Sequence, residues 1–148
     1  MTEEIREPAT ALEAASVQRI GLQSSMSRVE AAAAAPARDP NWRNRLANSL
    51  EDLRLALNHH VVVVEASDGL LAELAAAAPR LANQISRVQD EHPVLSSQVA
   101  DSMVLVSEGT DVDTVRSAVL NLLVAISRHR QKGADLVFDA YDVDIGGH

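Results

Sequence analysis

Three histidines occupy positions where a buried hydrophobic residue is expected: His60, His92 and His129. Each belongs to a run of apolar residues spaced alternately four and three apart, which is the spacing of the inward face of a helix packed against other helices. Neutral imidazole is the commonest protein ligand for transition metals. Inward histidines on three separate helices therefore indicate a metal site built between the helices.

The apolar runs predict three helices, each of which positions one of these histidines. The runs are Leu46, Leu50, Leu53, Leu57, His60 and Val64; then Leu81, Ile85, Val88, His92, Leu95, Val99, Met103 and Val106; and then Val115, Val119, Leu122, Ile126, His129, Gly133, Leu136 and Ala140. A further helix, with a less regular stripe and no histidine, is predicted over residues 10–35. We expect four long helices and a short one at residues 70–77.

The connections between these helices carry recognisable start and stop signals. Asp39 is predicted to cap the second long helix, with Pro40 at its first position. Gly109 is predicted to end the third long helix in the left-handed conformation, and Thr110 to cap the fourth. Short connections between long helices predict an all-α fold, an antiparallel up-down-up-down four-helix bundle.

The expected bundle covers residues 10–141, after a flexible lead-in at 1–9 and before a polar tail at 142–148. His92 lies about 22 Å before the end of its helix and His129 about 27 Å after the start of its own, at the usual helical rise. In an antiparallel pair these depths place the two rings within about one helical turn of the same level.

Composition narrows the classes of function. The 148 residues contain no cysteine, which excludes disulfides and thiolate metal sites and fits a cytoplasmic protein. The net charge of −8 argues against nucleic-acid binding. The sequence shows neither a signal peptide nor an apolar run long enough to cross a membrane, so no membrane association is expected.

Carboxylates are scarce at the positions where a second metal ligand would share a helix face with each histidine. The residues one turn after the three histidines are Val64, Ser96 and Gly133, none of which is a strong metal ligand. Glu65, which follows His60 by five residues, or a carboxylate of the first helix (Glu13 or Glu30) is the acidic candidate for completing a shell. The predicted metal-site residues are accordingly His60, Glu65, His92 and His129.

Three stretches carry a resemblance to a known family: LNHHVVVVEASDGLLAEL (57–74), PRLANQISRVQDEHPVL (79–95) and RHRQKGADLVFDAYDVDIGG (128–147). In layout the chain resembles the hemerythrin-like (HHE cation-binding) family. The resemblance implies four helices around an oxygen-bridged di-iron centre, with His60, His92 and His129 matching metal-binding histidines. In that family a glutamate or a second histidine follows one turn later, where this chain has Val64, Ser96 and Gly133.

These departures lead to two functional hypotheses. We expect a hemerythrin-like helical bundle that is not an enzyme, with a degenerate metal site and either no cofactor or iron. The alternative is an iron-binding, oxygen- or redox-responsive protein that uses a reduced ligand set. The interior histidines are also compatible with core polar groups or a pH-sensitive element. The chain would then be a non-enzymatic module that binds a small apolar ligand or a protein, or that forms a homodimer through its first helix.

Overall fold

The computed structural model describes residues 11–146, apart from the side chains of Leu12 and of residues 142–146. The elements in this range are α1 (Ala11–Ala34), α2 (Trp42–Glu65), the short α3 (Leu70–Ala77), a 3₁₀ turn (Pro79–Leu81), α4 (Ala82–Ser107) and α5 (Val112–Gly146). Residues 11–146 contain no strand, so the all-α prediction is confirmed. The predicted lead-in at residues 1–9 lies outside the described residues.

The helices pack through the predicted apolar runs. α1 contacts α2 and α5, α4 contacts the same two helices, and α3 contacts all four long helices. Leu50, Val99 and Ile126 have no exposed surface, and the less regular stripe of α1 still buries Leu22 and Val29 completely. Burying one such side chain is worth about 1.5–3 kcal/mol, so these runs account for much of the driving force for packing.

Among the residues whose side chains the structure describes, the core consists of two apolar clusters, one on each side of the histidines. Along α2, α4 and α5 the first cluster contains Leu57, Leu95 and Ile126, each three residues from the histidine of its own helix. The second cluster begins beyond that level and includes Val64 and Leu136, together with residues of α3. The three histidines therefore form a polar layer between two hydrophobic regions.

The ends of α4 and α5 follow the predicted signals in part. Gly109 has φ = +72°, the left-handed conformation predicted for it. The prediction that Thr110 caps α5 is wrong, because the helix begins at Val112 and Asp111 Oδ2 accepts the backbone N–H of Thr114 at 3.0 Å. The helix also continues to Gly146, beyond the predicted end at Tyr141.

The start of α2 differs from the prediction as well. Asp39 was expected to cap the helix with Pro40 inside it, but α2 begins at Trp42. Asp39 instead closes a tight turn, accepting the N–H of Asn41 on Oδ1 at 2.8 Å and that of Trp42 on its carbonyl at 3.0 Å. The same aspartate side chain therefore stabilises the preceding turn rather than the helix.

Candidate metal centre

His60, His92 and His129 come together in the polar layer, one each from α2, α4 and α5. His92 and His129 are buried and His60 is partly buried. The ring centroids of His92 and His129 lie 4.7 Å apart, and those of His60 lie 5.4 Å from His92 and 5.8 Å from His129. The prediction that His92 and His129 lie at a similar depth is confirmed, and His60 joins them.

The spacing of the ring nitrogens is close to what one metal ion requires. One nitrogen from each histidine lies within 4.8 Å of the others. Metal–nitrogen bonds of about 2.0–2.1 Å place two tetrahedral ligands about 3.4 Å apart and two opposite ligands about 4.1 Å apart. Small rotations of the side chains, moving each ring nitrogen by about 0.7 Å, bring the three within binding distance of one ion.

Carboxylates accept hydrogen bonds from the two buried rings, His92 and His129. Nδ1 of His129 donates to Glu91 Oε1 at 2.8 Å, and Nδ1 of His92 donates to Glu65. A proton held on Nδ1 leaves the lone pair on Nε2, and metal-binding histidines commonly have such a partner. Nε2 of His92 is buried and has no hydrogen-bond partner in the described part of the chain. It is oriented and free to accept a metal ion.

Glu65, which the sequence suggested as a ligand, lies beside the cluster. Its carboxylate contacts the ring of His92 across the interface between α2 and α4. Among the described residues, the group able to share one ion contains the three histidines without Glu65. A direct bond between Glu65 and a metal stays a prediction.

Glu91 was missed as a site residue by sequence reasoning. On the sequence it adjoins His92 but points about 100° away from it on the helix, which suggested that it leaves the site. In the structure that direction faces α5, where Glu91 accepts from both His129 and Lys132. Partial burial favours a higher pKa for Glu91, but the hydrogen bonds from Lys132 and His129 outweigh it and lower the pKa below the usual range. The sequence did hold a signal for this contact, because the predicted packing of α4 against α5 places Glu91 and His129 at one level.

The surroundings of His60 and His129 favour their neutral form, because they lower the pKa of both imidazoles. Burial lowers the pKa of His60 to about 4, with further lowering by the neighbouring imidazoles and by Arg130 and Arg19. Burial also lowers the pKa of His129, although Glu91 partly opposes that shift. Neutral imidazole is the form that binds metals, so little proton competition is expected at neutral pH.

A small cavity lies next to the histidines at Gly133. A Cβ atom built on Gly133 meets nothing within 4 Å. The cavity measures about 40 Å³ and is lined by His60, His129, Gly133 and mainly apolar side chains. The position at which the family pattern has a second ligand on this helix is therefore open space, large enough for about one water-sized molecule.

Comparisons of the chain with protein-family models, with curated proteins and with solved structures find no match. Across the described residues, no helix combines the length and the apolar character needed to cross a membrane. The arrangement of the histidines and their carboxylates is therefore the evidence from which function must be inferred.

We predict that the metal-free protein loses stability as the pH falls from 6.5 towards 4. In that window the unfolded chain protonates His60 near its ordinary pKa, while the folded chain, with a pKa of about 4, does not. The unfolding free energy then falls by up to about 1.4 kcal/mol per pH unit for this one proton.

Urea unfolding between pH 7 and pH 5, in the presence of a chelator, measures this slope. His60→Leu is expected to reduce it, whereas His59→Leu, a change at the exposed neighbouring histidine, is expected to leave it unchanged. Equal slopes in the wild type and the His60→Leu variant would show that His60 is not the responsible group.

Proposed function

We propose that the chain is a hemerythrin-like helical bundle that binds a single transition-metal ion through His60, His92 and His129. One observation carries the proposal: three inward imidazoles from three helices offer nitrogens within 4.8 Å of one another. An antiparallel four-helix arrangement is part of the proposal. The contacts of α1 with α2 and α5, and of α4 with the same two helices, support it.

The ligand set favours one ion over two. A binuclear centre needs several carboxylates or histidines to hold and neutralise two cations. The residues one turn after the histidines are Val64, Ser96 and Gly133, and α1 contributes no histidine. The carboxylates of Glu65 and Glu91 are engaged with imidazole Nδ1 atoms. A single ion with three protein nitrogens leaves coordination positions for water or a small ligand.

Iron is the metal we propose, by extension from the resemblance to the hemerythrin-like family. Imidazole ligands suit iron and also zinc, copper and nickel, so the donor set fits iron without selecting it. When bound, Fe(II) would supply redox chemistry and affinity for small molecules such as dioxygen. The protein's own part is to present neutral imidazoles and to hold their orientation through Glu65 and Glu91.

We propose a binding or sensing role rather than an enzymatic one. The cavity beside His60 and His129 measures about 40 Å³. Pockets that enclose organic substrates are usually about 300–1,000 Å³. This cavity therefore suits a diatomic molecule or a water better than an organic substrate.

We predict that protein loaded with Fe(II) without oxygen, and then dialysed, retains roughly one ion per chain. His129→Ala removes a ligand and is expected to abolish retention, while His59→Ala, which alters an exposed histidine outside the cluster, retains the wild-type amount. Metal content is measured by atomic emission, with Zn(II) loaded in parallel to test the choice of metal.

Because His129 is buried, its replacement can also affect folding, so Glu91→Gln provides a milder variant. It keeps the shape of the side chain but weakens the hold on His129, and loss of such a partner costs about 10–100-fold in metal affinity. If the folded wild type retains neither metal, the metal proposal is wrong and the degenerate-scaffold interpretation stands.

We also predict that Gly133→Glu increases metal affinity. The new side chain occupies the open space beside the imidazoles, on the same helix face as His129 and one turn later. One additional carboxylate ligand is expected to slow metal release to a competing chelator by tenfold or more. A tenfold change corresponds to about 1.4 kcal/mol.

Gly21→Glu is the matched control, because Gly21 is a helical glycine with the same open surroundings on α1. It reproduces the gain in helix propensity without adding a ligand near the histidines. Similar release rates for the two variants would contradict the assignment of the space at Gly133 to the metal shell.

A second candidate function is association through α1, either with a second copy of the chain or with a protein partner. Val17 and Ile20 lie three residues apart on one face of α1 and are 62% and 72% exposed. Neighbouring exposed apolar side chains of this size favour burial against another protein surface. This candidate does not depend on the metal.

We predict that sedimentation velocity detects a concentration-dependent dimer in the wild type. The double variant Val17→Ser/Ile20→Ser is expected to sediment as a monomer, because it removes the apolar contact. Val62→Ser replaces an equally exposed valine on α2 and should leave the dimer intact. A wild type that remains monomeric at the highest concentration tested would exclude the homodimer.

A further inference from the structure

Two arginines face each other across the gap between α1 and α5. Arg19 on α1 and Arg130 on α5 are both partly buried. Both line the small cavity that His60 and His129 also line. The same two side chains also line an open groove of about 520 Å³. The guanidinium groups therefore border both the groove and the interior cavity.

Neither arginine has an acidic partner in the described structure. Arg19 donates one hydrogen bond, to Ser16 Oγ at 3.1 Å. Arg130 forms no hydrogen bond or ion pair there, and its Nε is buried without an acceptor. The residues lining the groove and the cavity include no aspartate or glutamate. Two positive charges thus lie together, although the chain as a whole carries a net charge of −8.

Other arginines of the chain show the usual way in which this charge is satisfied. Arg54 pairs with Glu51, and Arg116 donates to the carbonyl oxygens at the end of α1. A partly buried guanidinium with one acceptor, as at Arg19, or none, as at Arg130, loses hydration that protein contacts do not fully replace. An acceptor that enters the groove from outside the chain would replace the hydration that Arg19 and Arg130 have lost.

We propose that Arg19 and Arg130 form a binding site for a small oxyanion in the groove between α1 and α5. Guanidinium groups bind carboxylate and phosphate oxygens through paired, charge-assisted hydrogen bonds. Ser127 and Gln131 line the same groove and provide polar side chains around such an anion. The proposal concerns a site separate from the metal ligands and requires no bound metal.

The test titrates inorganic phosphate and acetate into metal-free, full-length protein at constant ionic strength, with sodium chloride as the reference. Calorimetry and the thermal unfolding midpoint are both recorded. We expect saturable binding of at least one of the two anions to the wild type, above the effect of chloride. Binding of phosphate alone identifies a tetrahedral anion, and binding of acetate alone identifies a carboxylate; both results support the site.

The variants Arg19→Gln and Arg130→Gln are each expected to weaken anion binding at least tenfold. Arg28→Gln is the control, because it makes the same change of charge at another α1 arginine outside this groove. Circular dichroism checks folding, and one folded variant is sufficient because the site uses both side chains. Absence of binding of either anion to the wild type, or unchanged binding in a folded arginine variant, overturns the proposal, whatever the result for metal.

Discussion

Burial of three imidazoles at one level of an otherwise aliphatic core is the constraint on which this structure depends. His60, His92 and His129 interrupt runs of leucine, valine and isoleucine that are otherwise almost completely buried. Two of their nitrogens, Nδ1 of His60 and Nε2 of His92, are buried without a partner in the described structure. Each unsatisfied buried group of this kind costs about 1–3 kcal/mol. Leucine at the same positions would avoid that cost.

The neighbouring carboxylates reduce this cost and also direct the rings. Glu65 and Glu91 come from positions next to, rather than on, the inward stripes, and each reaches a histidine on a different helix. Glu91 additionally contacts Lys132, which connects the buried layer to the surface of α5. Because both contacts involve Nδ1, they leave Nε2 of the two buried rings available. The same pairs thus satisfy one nitrogen of each buried ring and fix the orientation of that ring.

The sequence was sufficient to predict the helices and the inward residues, because apolar residues spaced alternately four and three apart indicate the buried face of a helix. It also identified the three histidines. It did not identify Glu91, since the partner of a side chain beside the stripe depends on which helix lies next to it. The error at Thr110 has a similar origin: Thr110 and Asp111 are both good caps, and the exact start of α5 decides between them.

Among the described residues, the side of the histidine layer that faces α1 lacks side chains that could bind a metal. α1 contributes no histidine, and Gly133 leaves a space where a side chain from α5 would fit. The two arginines lie on this same side, between the cavity and the open groove. The α1–α5 groove and the cavity beside the imidazoles therefore share these two positively charged side chains.

X-ray absorption spectroscopy of the iron-loaded protein tests the central claim most directly, because it reports the atoms around the metal. A single ion held by three histidines predicts imidazole scattering from about three nitrogens at roughly 2.0–2.2 Å, completed by oxygen ligands, with no neighbouring metal. A second iron atom within about 4 Å would contradict the single-ion site. A spectrum without imidazole scattering would show that the histidine layer is not a metal centre.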